Sequence, residues 1–272
     1  MTFLQRRAYS IGAGFAALLW PFFVRRRRLS VDNVLKCGIA RDRRAAARVA
    51  AAAWRHFAGH LCEALCVPAV AGRDRWRECI DTSEADPSAA ALLLDTPDEP
   101  IILVSAHHGA WEAATNMISF ARPMIAIART MNNKAVARWL EKHHFRGPVT
   151  IIDKKHGITK GVLEKWERER SAMTILVDQH ASRGERLFFL GRPARTVTSA
   201  ARLAIRTGRR IVVGSFVRTG PYRYSLCGGP PLKFSRSTPV AAAAQIMNDR
   251  LSQAIRRHPE QYLWAHRRWR DG

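Results

Sequence analysis

Through the middle of the chain, short apolar runs rich in β-branched residues alternate with stretches whose apolar positions recur at helical spacing. Residues 100–106, Pro-Ile-Ile-Leu-Val-Ser-Ala, follow a turn-like acidic stretch and read as a buried strand. The runs at 124–128, 149–152, 173–177 and 210–217 read the same way. Helical patterns fall between them, near 132–145, 158–170 and 198–207. Such alternation predicts an α/β domain with a central, largely parallel sheet flanked by helices. Residues 222–227 suggest an added antiparallel strand, and 239–258 a closing helix. Upstream, Arg44, Arg48 and Arg55 with Trp54, Phe57 and Leu61 make 41–66 an amphipathic helix, and 81–99 a connecting helix and turn.

The N-terminal pattern is different. Residues 8–24 carry no charge, include Leu18-Leu19-Trp20-Pro21-Phe22-Phe23, and run straight into Arg25-Arg26-Arg27-Arg28. This is a membrane-directed signal at the short edge of what spans a bilayer, and Gly12, Gly14 and Pro21 weaken a straight helix. No small-residue cleavage pattern precedes the arginines, so removal as a signal peptide is not expected. The arginines favour anionic headgroups on the cytoplasmic side, which puts the body at the cytoplasmic face of the inner membrane. A buried core helix is the alternative reading. The expected division is a membrane-anchoring helix with its basic flank over 1–28 and a single catalytic domain over 29–272.

Composition bounds the function loosely. The 272 residues, 47% of them hydrophobic, suffice for a sizeable core. A net charge of +23 would draw anionic membranes, acidic carrier proteins or nucleic acid. No zinc-finger, homeodomain-like or aromatic RNA-binding motif supports the last, and a non-catalytic basic surface protein remains the rival to an enzyme. Cys37, Cys62, Cys66, Cys79 and Cys227 are odd in number and lack paired C-x-x-C spacing, which suggests reduced thiols and no zinc site.

Chemistry concentrates where the first buried strand meets a helix, at His107-His108-Gly109-Ala110-Trp111-Glu112. A helix starting near Ala110 puts Glu112 in its first turn, leaning back toward His107. A hydrogen bond donated by one ring nitrogen to that carboxylate would fix the imidazole tautomer and support the imidazolium formed when the other ring nitrogen takes a proton. His107 is therefore the candidate general base and Glu112 its orienting acid, with His108, on the opposite face of the strand, second. No serine or cysteine stands in a nucleophile-elbow pattern nearby, so the attacking hydroxyl is expected to belong to a substrate. Arg129 and Asp178 also follow buried strands, so one rim would collect a base, a guanidinium and a carboxylate.

The stretch Ser105-Ala106-His107-His108-Gly109-Ala110-Trp111-Glu112 resembles the signature of the bacterial lipid A biosynthesis late acyltransferases, which are related to the glycerolipid acyltransferases. Further blocks resemble that family in order and approximate spacing: Arg27-Arg28-Leu29-Ser30-Val31-Asp32-Asn33, Ala128-Arg129-Thr130-Met131-Asn132-Asn133, Val177-Asp178-Gln179, Phe188-Phe189-Leu190-Gly191-Arg192-Pro193-Ala194-Arg195-Thr196, and the stretch from His258 to Trp269. Ala110 stands where the family has asparagine. The resemblance implies a glycerolipid-acyltransferase-like fold and a His107/Glu112 dyad, with Arg129, Asp178, Arg192 and, more loosely, Arg146 on substrate. It implies transfer of a fatty acyl chain, without cofactor or catalytic metal, from acyl carrier protein or acyl-CoA to a hydroxyl of a membrane glycolipid such as a lipid A precursor. Phosphatidylinositol mannosides and lysolipids are alternative acceptors. The oxyanion would take donors from backbone amides near Gly109 or a nearby arginine. Trp111, Phe120, Phe188 and Phe189 are candidates for the floor of an acyl slot, and His266-Arg267-Arg268-Trp269 is either a solvated basic end or a headgroup contact.

Overall fold

The computed structural model describes residues 1–95, 98–128, 147–155 and 157–270. Three helices open the chain: α1 (Phe3–Leu19), α2 (Val24–Lys36) and α3 (Arg43–Ala64). Thr2 and Gln5 close a capping box on α1, so this helix starts ahead of Arg6 and Arg7, earlier than the uncharged stretch suggested. At the other end Pro21, which has no amide hydrogen to donate, falls in a break across which α1 and α2 bend by 104°. Among the described residues no single helix is long and apolar enough to cross a membrane; the bent pair together passes that test.

Helix α1 packs on α3 through small residues. Ala8, Gly12 and Ala16, spaced by four, are its buried positions, and a side chain on Gly12 would collide with the Ala58 carbonyl and the Cys62 sulfur of α3. Its large apolar residues point the other way. Phe3, Leu4, Ile11, Phe15 and Leu18 are exposed, and Phe22 beyond the helix reaches 79% exposure.

After the short turns α4 (Val67–Val70) and α5 (Gly72–Arg75) come strand β1 (Ile80–Asp81) and α6 (Pro87–Leu94), and then the core of the domain: β2 (Ile101–Ser105), α7 (Trp111–Ala121), β3 (Met124–Ala128), β4 (Val149–Asp153), α8 (Lys160–Arg168), β5 (Ala172–Leu176), α9 (Ser199–Thr207), β8 (Ile211–Gly220), β9 (Arg223–Gly228) and α10 (Val240–Arg257). The seven-stranded sheet has the order β1-β9-β8-β2-β5-β3-β4, and only the β8–β9 pair is antiparallel. The largely parallel α/β architecture read from the apolar runs is therefore present, including the antiparallel strand at 223–228. The helical pattern at 132–145 lies outside the described residues.

Strand β2 lies near the middle of the sheet between β8 and β5 and is buried on both faces, as a strand covered by helices on either side must be. Ile102 and Val104 join the core beneath α3, α9 and α10, while Ile101 and Leu103 join the one beneath α6 and α7. One element escaped the sequence reading. Residues 185–196 form an antiparallel hairpin, β6 (Glu185–Phe189) with β7 (Arg192–Thr196), outside the main sheet. Its two-residue turn puts both Leu190 and Gly191 at positive φ, as a primed hairpin turn requires. Leu190 tolerates this because it is buried there, its amide donating to Ser252 Oγ and its carbonyl accepting from Arg256.

Candidate active site

Burial on both faces leaves β2 no freedom, and the chain leaves its carboxyl end into a turn fixed by surrounding backbone. The His107 carbonyl accepts from the Leu263 amide, the Gly109 amide donates to the Gln261 carbonyl, and the Ala110 amide donates to the Phe216 carbonyl at 2.7 Å. Gly109 has φ of +66°, and a Cβ there would overlap the Phe216 carbonyl, so both backbone conformation and space demand glycine. These bonds also redirect the oxyanion argument. The amides of Gly109 and Ala110 are both engaged by carbonyls; those of Trp111, Glu112 and Ala113 precede the first bond inside α7, from Ala114 to Ala110.

The neighbouring histidines have opposite environments. His107 lines a cavity of about 1730 Å³, together with Trp111, Glu112 and Gln179. His108 is fully buried, its Nε2 donates to the His258 carbonyl, and burial foremost pushes its pKa down to about 3. A carbonyl only accepts, so His108 Nε2 must carry the hydrogen and the ring is neutral packing at ordinary pH.

His107 is oriented by an acid other than the one in its motif. Its Nδ1 lies 2.9 Å from Asp178 Oδ1, delivered by the carboxyl end of the adjacent strand β5. Asp178 is 2% exposed. Burial alone would lower the His107 pKa, but the charge and hydrogen bond of Asp178, and then the charge of Glu112, outweigh it and hold the pKa above its usual value. Burial would likewise raise Asp178; His107 and the charge of Arg268 hold it below the ordinary carboxylate range. Glu112 thus acts on His107 as a nearby charge from the first turn of α7, while Asp178 holds Nδ1. With the Nδ1 hydrogen given to Asp178, the other ring nitrogen presents its lone pair, and the Gln179 amide nitrogen lies 3.3 Å from it.

Arg268 secures the Asp178–Gln179 segment. It is 1% exposed and donates to the Gln179 carbonyl at 2.7 Å, to the Arg195 carbonyl and to Thr196 Oγ1. Within the C-terminal block Arg268 is therefore neither solvated nor available to a headgroup, whereas its neighbour Arg267 is exposed. Arg192 is placed with its guanidinium 5.4 Å from the Trp269 ring centre, beside Cys37, and is not among the residues lining the cavity. Arg129 and Arg146 lie outside the described residues.

The rest of the cavity wall is mostly apolar, with Ile127, Ile151, Ile158, Leu203 and Val240, and is interrupted by the basic residues Lys154, Arg202, Arg206 and Arg236. Its volume exceeds the roughly 300–1,000 Å³ usual for small-molecule pockets. Of the four aromatic residues considered for the acyl slot, only Trp111 lines it. Phe189 is buried between Tyr262 and Trp269, Phe188 is 59% exposed, and Phe120 packs with the core under α7. Sequence reasoning missed the Asp178 bond to His107, the place of Gln179 and the burial of Arg268; the Val177-Asp178-Gln179 block was visible as a strand end, but its partner was not.

Comparison with known proteins adds a separate line of argument. The family model for bacterial lipid A biosynthesis acyltransferases matches residues 5–271. A lipid A biosynthesis palmitoleoyltransferase of Escherichia coli strain K12 and a lipid A biosynthesis acyltransferase of Shigella flexneri are each 28% identical to the chain over 177 residues. Those residues are 62% of this chain and 56% of each relative, so the similarity spans about half the length of these curated proteins.

Proposed function

Because the chain belongs to the bacterial lipid A biosynthesis acyltransferase family, we propose that it moves a fatty acyl chain from a thioester donor, acyl carrier protein or acyl-CoA, to a hydroxyl of a membrane glycolipid of the lipid A precursor type. The observation that supports this most is a histidine held by a buried carboxylate at the wall of a large, mostly apolar cavity. The acceptor hydroxyl replaces Gln179 at His107 Nε2 and gives up its proton there as its oxygen attacks the thioester carbonyl. Asp178, supported by the Glu112 charge, stabilises the imidazolium that results. The tetrahedral intermediate then collapses, the carbon–sulfur bond breaks, and the imidazolium returns the proton to the departing thiolate. The oxyanion takes donors from the first-turn amides of α7. The apolar wall receives the acyl chain, at about 0.8 kcal/mol per buried methylene, and the basic residues around the cavity favour an anionic acceptor or carrier.

The outer face of α1 is the proposed membrane contact. Its exposed Phe3, Leu4, Ile11, Phe15 and Leu18, followed by exposed Arg25, Arg26 and Arg28, fit a helix lying in the interface with cations at the headgroups. On this reading the body works at the cytoplasmic face of the inner membrane, on lipid it reaches without leaving the surface.

Purified protein incubated with acyl carrier protein or acyl-CoA thioesters and a lipid A precursor, products read by mass spectrometry, tests the reaction. Acyl ester formation that drops about 10²- to 10⁴-fold in His107→Ala, with circular dichroism unchanged, is the expected outcome. Absence of transfer with either donor, or wild-type turnover in the variant, defeats it.

A further inference from the structure

Helix α1 reaches the catalytic turn through one buried side chain on α3. The Tyr9 hydroxyl lies 3.3 Å from His56 Nδ1, and His56 Nε2 lies 3.0 Å from the Gly109 carbonyl. The carbonyl has no hydrogen to give, so Nε2 must carry one; Nδ1 is then the acceptor, and the tyrosine donates to it. His56 is 4% exposed, and burial leads in lowering its pKa to about 4, so the neutral form these two bonds require is the resident one.

Tyr9 is itself held. The Arg218 guanidinium lies over its ring at 3.7 Å while making a paired contact with the carboxylate of Glu63, at 2.9 and 2.8 Å, and the Tyr224 hydroxyl donates to that carboxylate at 2.7 Å. On the other side, His56 stacks on His60 at 5.4 Å, His60 meets Trp111 at 4.1 Å, and Trp111 meets the His107 ring edge to face at 5.2 Å.

The peptide between Gly109 and Ala110 is thus fixed at both of its polar groups, the carbonyl by His56 and the amide by the Phe216 carbonyl. Its orientation sets where α7 begins. Turning it would displace Trp111 and Glu112 from the cavity and shift the turn that carries His107.

We infer that His56 is a positioning residue for the transfer reaction, holding the Gly109 carbonyl so that His107, Trp111 and Glu112 keep their reactive arrangement, and that Tyr9 of α1, donating to Nδ1, holds the His56 ring where Nε2 meets that carbonyl. Helix α1 is then part of the catalytic scaffold as well as a lipid-facing surface. The inference rests on the proposed role of His107. Without the Tyr9 hydroxyl the His56 ring loses one of the two bonds that fix its place against the Gly109 carbonyl.

Steady-state kinetics of the full chain test it, with His107→Ala as the control for the reaction itself and flotation on phosphatidylethanolamine/phosphatidylglycerol vesicles as the control for lipid binding. His56→Leu is expected to lower kcat about 10-fold or more, the worth of one well-made hydrogen bond, while KM for the acyl donor stays within about 2-fold. His56→Gln, whose amide hydrogen can reach the same carbonyl, is expected to recover most of that loss. Tyr9→Phe is expected to fall between them with vesicle binding unchanged. If His107→Ala retains turnover, the proposed function has failed, and the positioning role with it. If His107→Ala is inert and a folded His56→Leu keeps wild-type kcat, only the positioning role has failed. Should His56→Leu not fold, Tyr9→Phe decides, since it removes a single hydroxyl: lowered kcat with steady KM supports the role, and wild-type kcat overturns it. Equal loss in His56→Leu and folded His56→Gln also counts against it.

Discussion

The turn after β2 and the outer face of α1 are built on opposite principles. Around His107 both ring nitrogens and the amides of Gly109 and Ala110 are matched by groups from far along the chain: Asp178 at Nδ1, Gln179 at Nε2, and the carbonyls of Phe216 and Gln261 on the turn amides. On α1 the large apolar side chains of Phe3, Leu4, Ile11, Phe15 and Leu18 are exposed, while Ala8, Gly12 and Ala16 are buried and Tyr9 reaches inward to His56. The proton transfer proposed for the first needs rigid partners; the bilayer contact proposed for the second needs only area and a charge boundary. The first should therefore respond sharply to single atoms, the second gradually to buried area.

The largest effect expected is at Asp178. Asp178→Asn keeps the shape but removes the charge that supports the imidazolium and lets the ring lose its tautomer, so turnover should fall about 10²-fold or more. Kinetics of a folded variant check this, and a fall of less than about 3-fold would shift the orienting role to Glu112. A paler effect would make the catalytic turn resemble the tolerant α1 face.

The pH dependence sharpens the same contrast. The proposed base His107 would act only when neutral, and its pKa is raised, so the acid limb of kcat/KM should lie above about 6.5 and move down in Asp178→Asn. Stability follows from the same pair. His107 binds its proton more tightly when folded, so its contribution is full below about 6.5 and fades as pH rises through its folded value. Asp178 is depressed, so its contribution is present above about 3.9 and is lost as pH falls through its folded value. The melting temperature gap between wild type and Asp178→Asn should be widest between about pH 4 and 6.5 and narrow above that range. His56 and His108, held neutral at about 4 and about 3, act in the other direction: what they contribute is full above about 6.5 and is lost on acidification.

Just beyond α1, Phe22→Ser should weaken vesicle binding about 10-fold, because one phenylalanine side chain moved from water contributes at least about 1.5 kcal/mol. Turnover on a soluble acceptor should not change. Flotation assays read the first and kinetics the second; unchanged binding across Phe15→Ser and Phe22→Ser would place the lipid contact elsewhere. The smallest effect is expected at Trp111→Ala, which lengthens the cavity beside His107 and should move donor preference a few-fold toward longer chains, since one methylene is worth about 0.8 kcal/mol. Mixed ten- to sixteen-carbon donors in competition test this. Phe120, Phe188 and Phe189 should leave the ratios alone, as none of them lines the cavity.

Much of this molecule was written in local pattern. The apolar runs specified β2, β3, β4, β5 and β8; β2 is continuously apolar because it is covered on both faces, whereas the edge strand β4 is only partly buried and carries an exposed Ile151. The uncharged N-terminal stretch and its arginines were equally plain, and the position of His107 at a strand end followed from Gly109 and the helix behind it. What the sequence alone could not decide was pairing. Glu112 was the nearest carboxylate along the chain, yet β5 lies beside β2 in the sheet and brings Asp178 to Nδ1, 71 residues away. His56 is ordinary in an alanine-rich helix until α3 crosses behind Gly109. The β6–β7 hairpin escaped the reading because Arg192-Pro193-Ala194-Arg195 carries no apolar alternation, and its place is set by hydrogen bonds of Phe188 with Gln245 and Asn248 of α10. Periodicity records which face of an element is dry, and that is a local property; which two groups share a proton depends on strand order and on the register of neighbours, which exist only once the sheet has formed.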